Sequence, residues 1–294
     1  MHKKLYGIVP ALITPLNEDR TVDVHSLEIL IEYLLEGGVH GIFAAGMTGE
    51  GAALEHDQLL LQIRECARII RGRVPLAAGV LEAGPRRTIE SALRLADAGA
   101  DILSTTVPYP APVPSQEEMI AHFDFICSQV DVPWMVYGNS GCLPNIAPST
   151  MGALARIPGI CAIKDTRSDF EGHLKNIMAV RGSGTTLLSG GEYLVGPGML
   201  MGADGNISGA TNLFPRLFCD LYDAALRSDA PAVTAASEKI AAIHAMTNQP
   251  GACWLSIFKY AGSRMGLMQP WCCLPAKPLT AQQMRAVDAI LDTL

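Results

Sequence analysis

A single lysine, Lys164, ends the otherwise apolar segment from Gly159 to Ile163. Burial removes the hydration of an ammonium ion, so it lowers the pKa of a lysine, and only the neutral amine attacks a carbonyl carbon. Lys164 is therefore a candidate for Schiff-base formation with a keto substrate. Taken alone, the segment is equally consistent with a second interpretation, in which Lys164 pairs with Asp165 or another carboxylate and only ends the strand.

The glycine-rich segment from Ala45 to Gly51 predicts an anion site. Glycines allow backbone N–H groups to approach an anion, and Thr48 adds a hydroxyl, an arrangement that suits a carboxylate. Taken alone, the segment indicates just as well a turn in which Thr48 caps the next helix.

Tyr137 ends another apolar run and is a candidate proton relay. A phenol near a cation can protonate a leaving hydroxyl or accept a proton from a substrate hydroxyl. The alternative is a structural tyrosine whose hydroxyl bonds to the backbone. Glu192 and Ser208 follow two later runs and could bind substrate hydroxyls, although a helix-cap or loop role explains each one better when it is taken singly.

These side chains require a fold that brings several strand ends together. Apolar runs alternate with helical patterns, and the runs end in Gly, Pro, Asn or Thr. The predicted strands are residues 7–13, 41–45, 75–80, 101–105, 133–137, 161–164, 186–189 and 205–208. The predicted helices between them are residues 24–35, 56–70, 87–98, 116–128, 148–156, 170–180 and 193–201. Only helical patterns follow, at residues 214–228, 231–246, 252–263 and 280–294.

This alternation predicts an α/β fold, a (β/α)8 TIM barrel with a C-terminal helical extension. We expect residues 1–225 to form the catalytic barrel and residues 226–294 a helical appendage. The segment Gly182-Ser183-Gly184 precedes a strand instead of following one, which argues against a dinucleotide-binding fold. In a barrel of this kind the site lies at the carboxyl ends of the strands.

The composition excludes several classes of function. The chain has 294 residues, a formal charge of −7 and no cluster of Lys and Arg along a predicted face, so we expect no nucleic-acid partner. No apolar run approaches the length of a membrane span and no export signal is visible, so we expect a soluble cytoplasmic protein. The cysteines lie mostly in apolar patterns. We therefore expect no metal, and a packed loop at Cys272-Cys273 in preference to a soft-metal site.

Four motifs occur in order along nearly the whole chain. They are Gly46-x-Thr48-Gly49-Glu50, then Tyr137, then Ile163-Lys164-Asp165-Thr166, then Ser189-Gly190-Gly191-Glu192 before Gly202-Ala203-Asp204-Gly205. Together they resemble the motifs of the dihydrodipicolinate synthase and N-acetylneuraminate lyase family. The resemblance implies a class I pyruvate-dependent lyase or aldolase that needs no cofactor and assembles as a homotetramer, a dimer of dimers.

The resemblance also implies roles for residues. Lys164 would form the imine with pyruvate or another 2-keto acid, Thr48 and neighbouring backbone N–H groups would hold its carboxylate, and Tyr137 would transfer protons. Gly190 and Ile207 would line the site through their backbones. The expected substrate-binding set is Met47, Gly49, Tyr109, Cys142, Thr166, Gly190, Glu192, Ile207 and Ser208.

Three departures weaken the likeness to dihydrodipicolinate synthases themselves. Met47 replaces the first of two adjacent hydroxyl residues, Pro110 replaces a second tyrosine and leaves only Tyr109, and Cys142 replaces an arginine that binds the aldehyde's carboxylate. Losing that charged hydrogen bond costs roughly 1.5–3 kcal/mol, about ten- to a hundredfold or more in binding. Dihydrodipicolinate synthesis is therefore not the predicted reaction.

The remaining features favour two kinds of aldehyde partner. Lys164-Asp165-Thr166 and Glu192 are more similar to the sugar-acid branches of the family, whereas Met47, Pro110, Cys142 and Leu143 predict an apolar pocket for an aromatic or other apolar aldehyde. The leading hypothesis is a lyase that makes or breaks a carbon–carbon bond to an aldehyde. A hydro-lyase or a hydratase-aldolase using the same imine is an alternative, and a non-catalytic 2-keto-acid binding protein is an alternative of another class.

Overall fold

A computed structural model of the chain describes residues 4–109 and 113–294. Over these residues, parallel strands alternate with helices and pair in the order β1-β8-β7-β6-β5-β4-β3-β2. The strands are β1 Gly7–Pro10, β2 Ile42–Ala44, β3 Leu76–Gly79, β4 Ile102–Thr106, β5 Trp134–Gly138, β6 Ile160–Asp165, β7 Thr186–Ser189 and β8 Gly205–Ser208. A parallel bridge between Ala11 and Phe43 joins β1 to β2, so the sheet forms a nearly closed barrel.

Helices cover the outside of the barrel and continue beyond it. They are α1 Val24–Glu36, α2 His56–Ile70, α3 Pro85–Asp97, α4 Gln116–Gln129, α5 Pro148–Leu154, α6 Phe170–Val180, α7 Val195–Leu200, α8 Pro215–Leu226, α9 Ala230–Thr247, α10 Trp254–Arg264 and α11 Ala281–Leu291. Short 3-10 turns at Glu192–Leu194 and Ala210–Asn212 follow β7 and β8. The predicted TIM-barrel fold with C-terminal helices is confirmed.

Side chains from alternate strand positions form two separate hydrophobic clusters. Val9, Phe43 and Met135 belong to the cluster inside the barrel, whereas Ile8 and Val136, their strand neighbours, pack in the cluster between the strands and the helices. Successive strand residues point to opposite faces, so a strand buried on both sides reads as a continuous apolar run. This explains why the strands were recognisable from apolar runs.

The differences from the predicted boundaries have local causes. Residues 11–13 were predicted as strand, but β1 ends at Pro10. The predicted helix 193–201 is a 3-10 turn followed by the short α7, a segment that contains Pro197 and two helix-weakening glycines. The predicted helix 87–98 begins earlier, at Pro85, since proline fits the first turn of a helix.

The C-terminal helices lie against the barrel instead of standing apart from it. The predicted boundary between residues 225 and 226 falls at the end of α8, and α9 then returns to the strand-seven side of the mouth. There the ring of His244 on α9 stacks edge-on against Tyr193, with 4.3 Å between centroids. Among the described residues, no helix is long and apolar enough to cross a membrane.

Candidate active site

Lys164, the penultimate residue of β6, points into a cavity of about 380 Å³ at the carboxyl ends of the strands. The residue is 4% exposed, and burial lowers the pKa of its amine to about 8, although the charge of Glu192 acts in the opposite direction. The Nζ atom lies 4.3 Å from the centroid of the Tyr137 ring and 5.3 Å from that of Phe43. At pH 7 about a tenth of this amine is therefore neutral, far more than for an exposed lysine.

The cavity collects most of the site residues that the sequence predicted. They are Met47, Thr48, Tyr137, Cys142, Lys164, Thr166, Gly190, Glu192, Ile207 and Ser208. Two predicted residues, Gly49 and Tyr109, do not line it. The carbonyl of Gly49 accepts a hydrogen bond of 2.5 Å from the Thr14 hydroxyl, which places Gly49 beneath the loop surface.

Asp165 follows Lys164 but points to the opposite face of β6. Its carboxylate lies 2.8 Å from Asn139 Nδ2, 2.8 Å from His173 Nδ1, 3.0 Å from Asn176 Nδ2 and 3.2 Å from Arg167 Nε. Burial acts to raise the pKa of Asp165, but the hydrogen bonds from His173 and Asn139 and the charge of Arg167 outweigh burial and lower it. The interpretation in which Lys164 pairs with Asp165 is therefore wrong.

Asn139 extends this network into the loop after β5. Its side-chain oxygen accepts a hydrogen bond of 2.8 Å from the backbone N–H of Ile146, and its own backbone has a positive φ of 56°. The loop between these two residues carries Ser140 and Cys142, which both line the cavity. The Asp165 carboxylate thus holds the end of β6 and, through Asn139, the loop that carries Cys142.

Thr48 lies on the tight loop after β2. Ala45 and Glu50 both have a φ of 56°, and Thr48 is buried with its methyl group against Gly209. The next helix, α2, begins only at His56, so Thr48 does not cap it. The loop instead presents Thr48 and Met47 to the cavity beside Lys164.

Tyr137 stands opposite Lys164 on the neighbouring strand, as the register of β5 and β6 requires. Its hydroxyl donates to the sulfur of Met47 over 3.4 Å. Burial raises the pKa of Tyr137, whereas the nearby hydroxyls of Ser140 and Thr166 act to lower it. A thioether is only a weak acceptor. Because Met47 holds the phenol weakly, the hydroxyl remains able to bond a substrate.

Glu192 occupies the 3-10 turn after β7 and lies close to His244 of α9. The Glu192 carboxylate and His244 Nδ1 are 3.8 Å apart. Burial raises the pKa of Glu192, against the influence of its own backbone hydrogen bond and of the charges of His244 and Lys164. This end of the cavity can therefore both accept hydrogen bonds and exchange protons.

Several lining residues escaped the sequence prediction. They are Ser140, Gly209, His244, Thr247, Asn248, Trp254 and Phe258. His244, Thr247 and Asn248 are spaced for one side of a helix, and so are Trp254 and Phe258. That spacing was the available signal, although it does not tell which surface the helix covers.

A second, more apolar cavity of about 730 Å³ adjoins the first. Met47 and Cys142 line both cavities, and Tyr109 and Leu143 line the second but not the first. The Tyr109 hydroxyl donates to the carbonyl of Leu81 over 3.4 Å. Pro110, the residue expected at the position of a second tyrosine, lies outside the described residues.

Cys272 and Cys273 are both buried, and the Cys272 sulfur lies 3.8 Å from the Ser256 hydroxyl oxygen. Within residues 4–109 and 113–294, no three His, Cys, Asp or Glu side chains are grouped so that they could hold a metal ion.

The barrel and its lysine-centred cavity define a class I aldolase-like (β/α)8 protein. The family model of the dihydrodipicolinate synthetase family matches residues 4–294, and the chain belongs to that family, whose members are lyases. The 4-hydroxy-tetrahydrodipicolinate synthase of Neisseria gonorrhoeae is 34% identical over 292 residues, which cover 98% of each chain.

Solved structures agree with this assignment. Dihydrodipicolinate synthase from Bacteroides thetaiotaomicron superposes with a TM-score of 0.93 at 29% identity, and the match covers 100% of both chains. The chloride-inhibited dihydrodipicolinate synthase from Acinetobacter baumannii, complexed with pyruvate, has a TM-score of 0.91 at 31% identity over 98% of both chains.

We expect Asp165→Ala to destabilise the protein by about 3–5 kcal/mol, because it leaves buried donors and the charge of Arg167 without their acceptor. The urea midpoint of unfolding measures the effect. The matched control is Glu171→Ala, which removes a carboxylate from an exposed pair with Lys175 on α6 and should change the free energy of unfolding by less than about 1 kcal/mol. Similar midpoints for the two variants would contradict the role assigned to Asp165.

Proposed function

We propose that this chain is a class I lyase in which Lys164 forms an imine with pyruvate or another 2-keto acid. The bond made or broken next joins that keto acid to an aldehyde. The single observation that carries the proposal is the Lys164 amine, buried, turned away from Asp165 and facing a cavity beside Tyr137. The pyruvate in the Acinetobacter baumannii relative supports the choice of keto acid.

The chemistry follows from the groups around the amine. Neutral Lys164 adds to the keto carbon, and Tyr137 gives a proton to the resulting hydroxyl, which leaves as water. The positively charged imine draws electrons from the adjacent carbon, so loss of a proton there yields an enamine. The enamine carbon attacks the aldehyde carbon, the aldehyde oxygen takes up a proton, and water then hydrolyses the imine and restores the amine. The reverse sequence cleaves the bond.

The loop after β2 suits the carboxylate of the keto acid. Thr48 is buried at the cavity wall, and its hydroxyl, with neighbouring backbone N–H groups of the loop, would supply donors for an anion. The cavity surfaces near Cys142 and Met47 would receive the aldehyde.

Cys142 supports an aldehyde without a carboxylate group. Its sulfur lies 3.9 Å from the sulfur of Met47 and 3.4 Å from the Ser140 hydroxyl oxygen, and the larger cavity beyond it is mostly apolar. A carboxylate placed here would lose hydration without gaining a cation from Cys142. We therefore propose that the acceptor is an apolar or hydroxylated aldehyde and that the chain is not a dihydrodipicolinate synthase.

Glu192 and His244 favour a second candidate, a hydro-lyase that acts on a 2-keto-3-deoxy sugar acid. Loss of a hydroxyl group needs an acid near it, and the raised pKa of Glu192 suits that task. Product analysis separates the two candidates. With a 2-keto-3-deoxy sugar acid we expect the aldolase to release pyruvate and an aldehyde, whereas a dehydrated keto acid as the sole product would show the hydro-lyase.

Borohydride reduction in the presence of pyruvate tests the imine. We expect a three-carbon adduct on Lys164 and none on Lys164→Met, located by intact mass and peptide mapping. The trapping rate should rise with pH up to about 8 and then level off, because the amine is protonated below its pKa and reactive above it. A flat profile across this range would contradict the assigned pKa.

Lys175→Met is the matched control, because Lys175 is an exposed lysine on α6. It should be labelled like the wild type. Equal labelling of Lys164→Met would overturn the mechanism. An adduct that forms without turnover of any aldehyde or sugar acid would show a 2-keto-acid binding protein instead of an enzyme.

Cys142→Arg tests the acceptor proposal. With pyruvate as donor, the wild type should prefer benzaldehyde or a small hydroxyaldehyde to aspartate semialdehyde. The new guanidinium should improve kcat/KM for aspartate semialdehyde by about ten- to a hundredfold. Cys142→Met, which adds bulk without charge, should give no such gain. Efficient use of aspartate semialdehyde by the wild type would refute the proposed acceptor class.

A further inference from the structure

A second lysine, Lys259 on α10, is fully buried but lies outside the lysine cavity. Its Nζ atom donates to Glu50 Oε2 over 2.5 Å and to the carbonyl of Trp271 over 2.6 Å. The side chain is 0% exposed and that of Glu50 is 5% exposed. A buried ammonium ion is costly unless hydrogen bonds and an opposite charge compensate it, and here both are present.

Glu50 joins more than one segment. Its other carboxylate oxygen accepts a hydrogen bond of 2.5 Å from the backbone N–H of Cys273, so one side chain bonds to α10 and to the segment after it. Glu50 is also the second residue after Thr48, and its φ of 56° belongs to the tight turn that presents Thr48 to the cavity.

Both partners lie close in sequence to residues of the lysine cavity, since Glu50 is two residues from Thr48 and Lys259 is next to Phe258. Phe258 immediately precedes Lys259 and lines the cavity, and a side chain at Gly209 would meet both the Phe258 ring, at 3.0 Å, and the Thr48 methyl group, at 3.4 Å. The Thr48 loop, Gly209 and Phe258 thus form one packed wall. The Glu50–Lys259 pair connects the Thr48 loop directly to α10, the helix that carries Phe258.

We propose that Glu50 and Lys259 are positioning residues, which fix the Thr48 loop against α10 so that the Thr48 hydroxyl is placed for the substrate carboxylate before substrate binds. The role given to Thr48 rests on the proposed function. Apolar residues of similar size can often replace a buried ion pair without loss of stability. Apolar replacements would lack the hydrogen bonds by which Glu50 connects its own loop to α10 and to the segment at Cys273.

Lys259→Met tests this inference through the pyruvate dependence of borohydride trapping. We expect the pyruvate concentration at half-maximal trapping to rise at least about tenfold, because the carboxylate site is displaced. The limiting rate at saturating pyruvate should change less than about threefold, since Lys164 and Tyr137 are untouched. A merely structural role would lower the yield of adduct and leave half-saturation unchanged, and that result would overturn the inference.

Ser256→Ala is the matched control on the same helix. The Ser256 hydroxyl donates to the carbonyl of Lys277 over 2.8 Å, so this variant also removes a bond between α10 and the C-terminal segment, but it leaves Glu50 in place. It should keep the wild-type half-saturation. If Lys259→Met does not fold, Glu50→Gln combined with Lys259→Met removes both charges and carries the same expectation.

Hydrogen exchange separates this inference from the proposed function. If the wild type gives no pyruvate adduct, the imine proposal fails, and the amides of residues 46–51 then decide the positioning role. Faster exchange of these amides in the Lys259 variant than in wild type and Ser256→Ala supports the role. Unchanged exchange overturns it.

Discussion

The cost of burying the Lys164 ammonium is the physical constraint on which the proposed chemistry of this site depends. Lowering its pKa from 10.5 to about 8 corresponds to roughly 3 kcal/mol of bias toward the neutral amine. That bias depends on strand geometry, because successive residues of β6 face opposite sides and Asp165 consequently points away from the amine. A carboxylate beside Lys164 would stabilise the ammonium and cancel the effect. Glu192, the charge that does act on Lys164, is itself pushed toward its neutral form by burial.

On the side of β6 that faces away from the amine, polar side chains surround the Asp165 carboxylate. Asp165 is fully buried and bonds to side chains on α6 and on the loops that follow β5 and β6. Asn139 also accepts a hydrogen bond from the backbone N–H of Ile146, so hydrogen bonds connect the strand that carries the amine to the loop that carries Cys142. Such hydrogen bonds restrict the positions available to the strand, as the role proposed for Lys164 requires.

The regular geometry of the barrel made part of the site predictable from the sequence. Lys164 and Tyr137 lie at the carboxyl ends of their strands and Thr48 lies after one, and these ends meet at one mouth, so their proximity follows once the strands are recognised. Gly49 and Tyr109 do not line this cavity, because loop dihedrals, which residue types leave open, decide where such residues face. His244 and Phe258 were missed because periodicity identifies a helix's buried side but not its partner. Glu50 was recognised as part of a motif, yet its cation lies 209 residues further along the chain.

Helices α9 and α10 line part of the cavity, so two distant regions of the polypeptide build it together. The barrel strands supply the amine and the phenol, whereas the last quarter of the chain supplies two aromatic rings and a histidine that line another part of the cavity. Under the proposed mechanism, substitutions in these two helices would reshape that part of the cavity and leave the imine-forming lysine in place. The residues that these helices contribute lie far in sequence from Lys164, so changes among them would leave the strand that carries the amine intact.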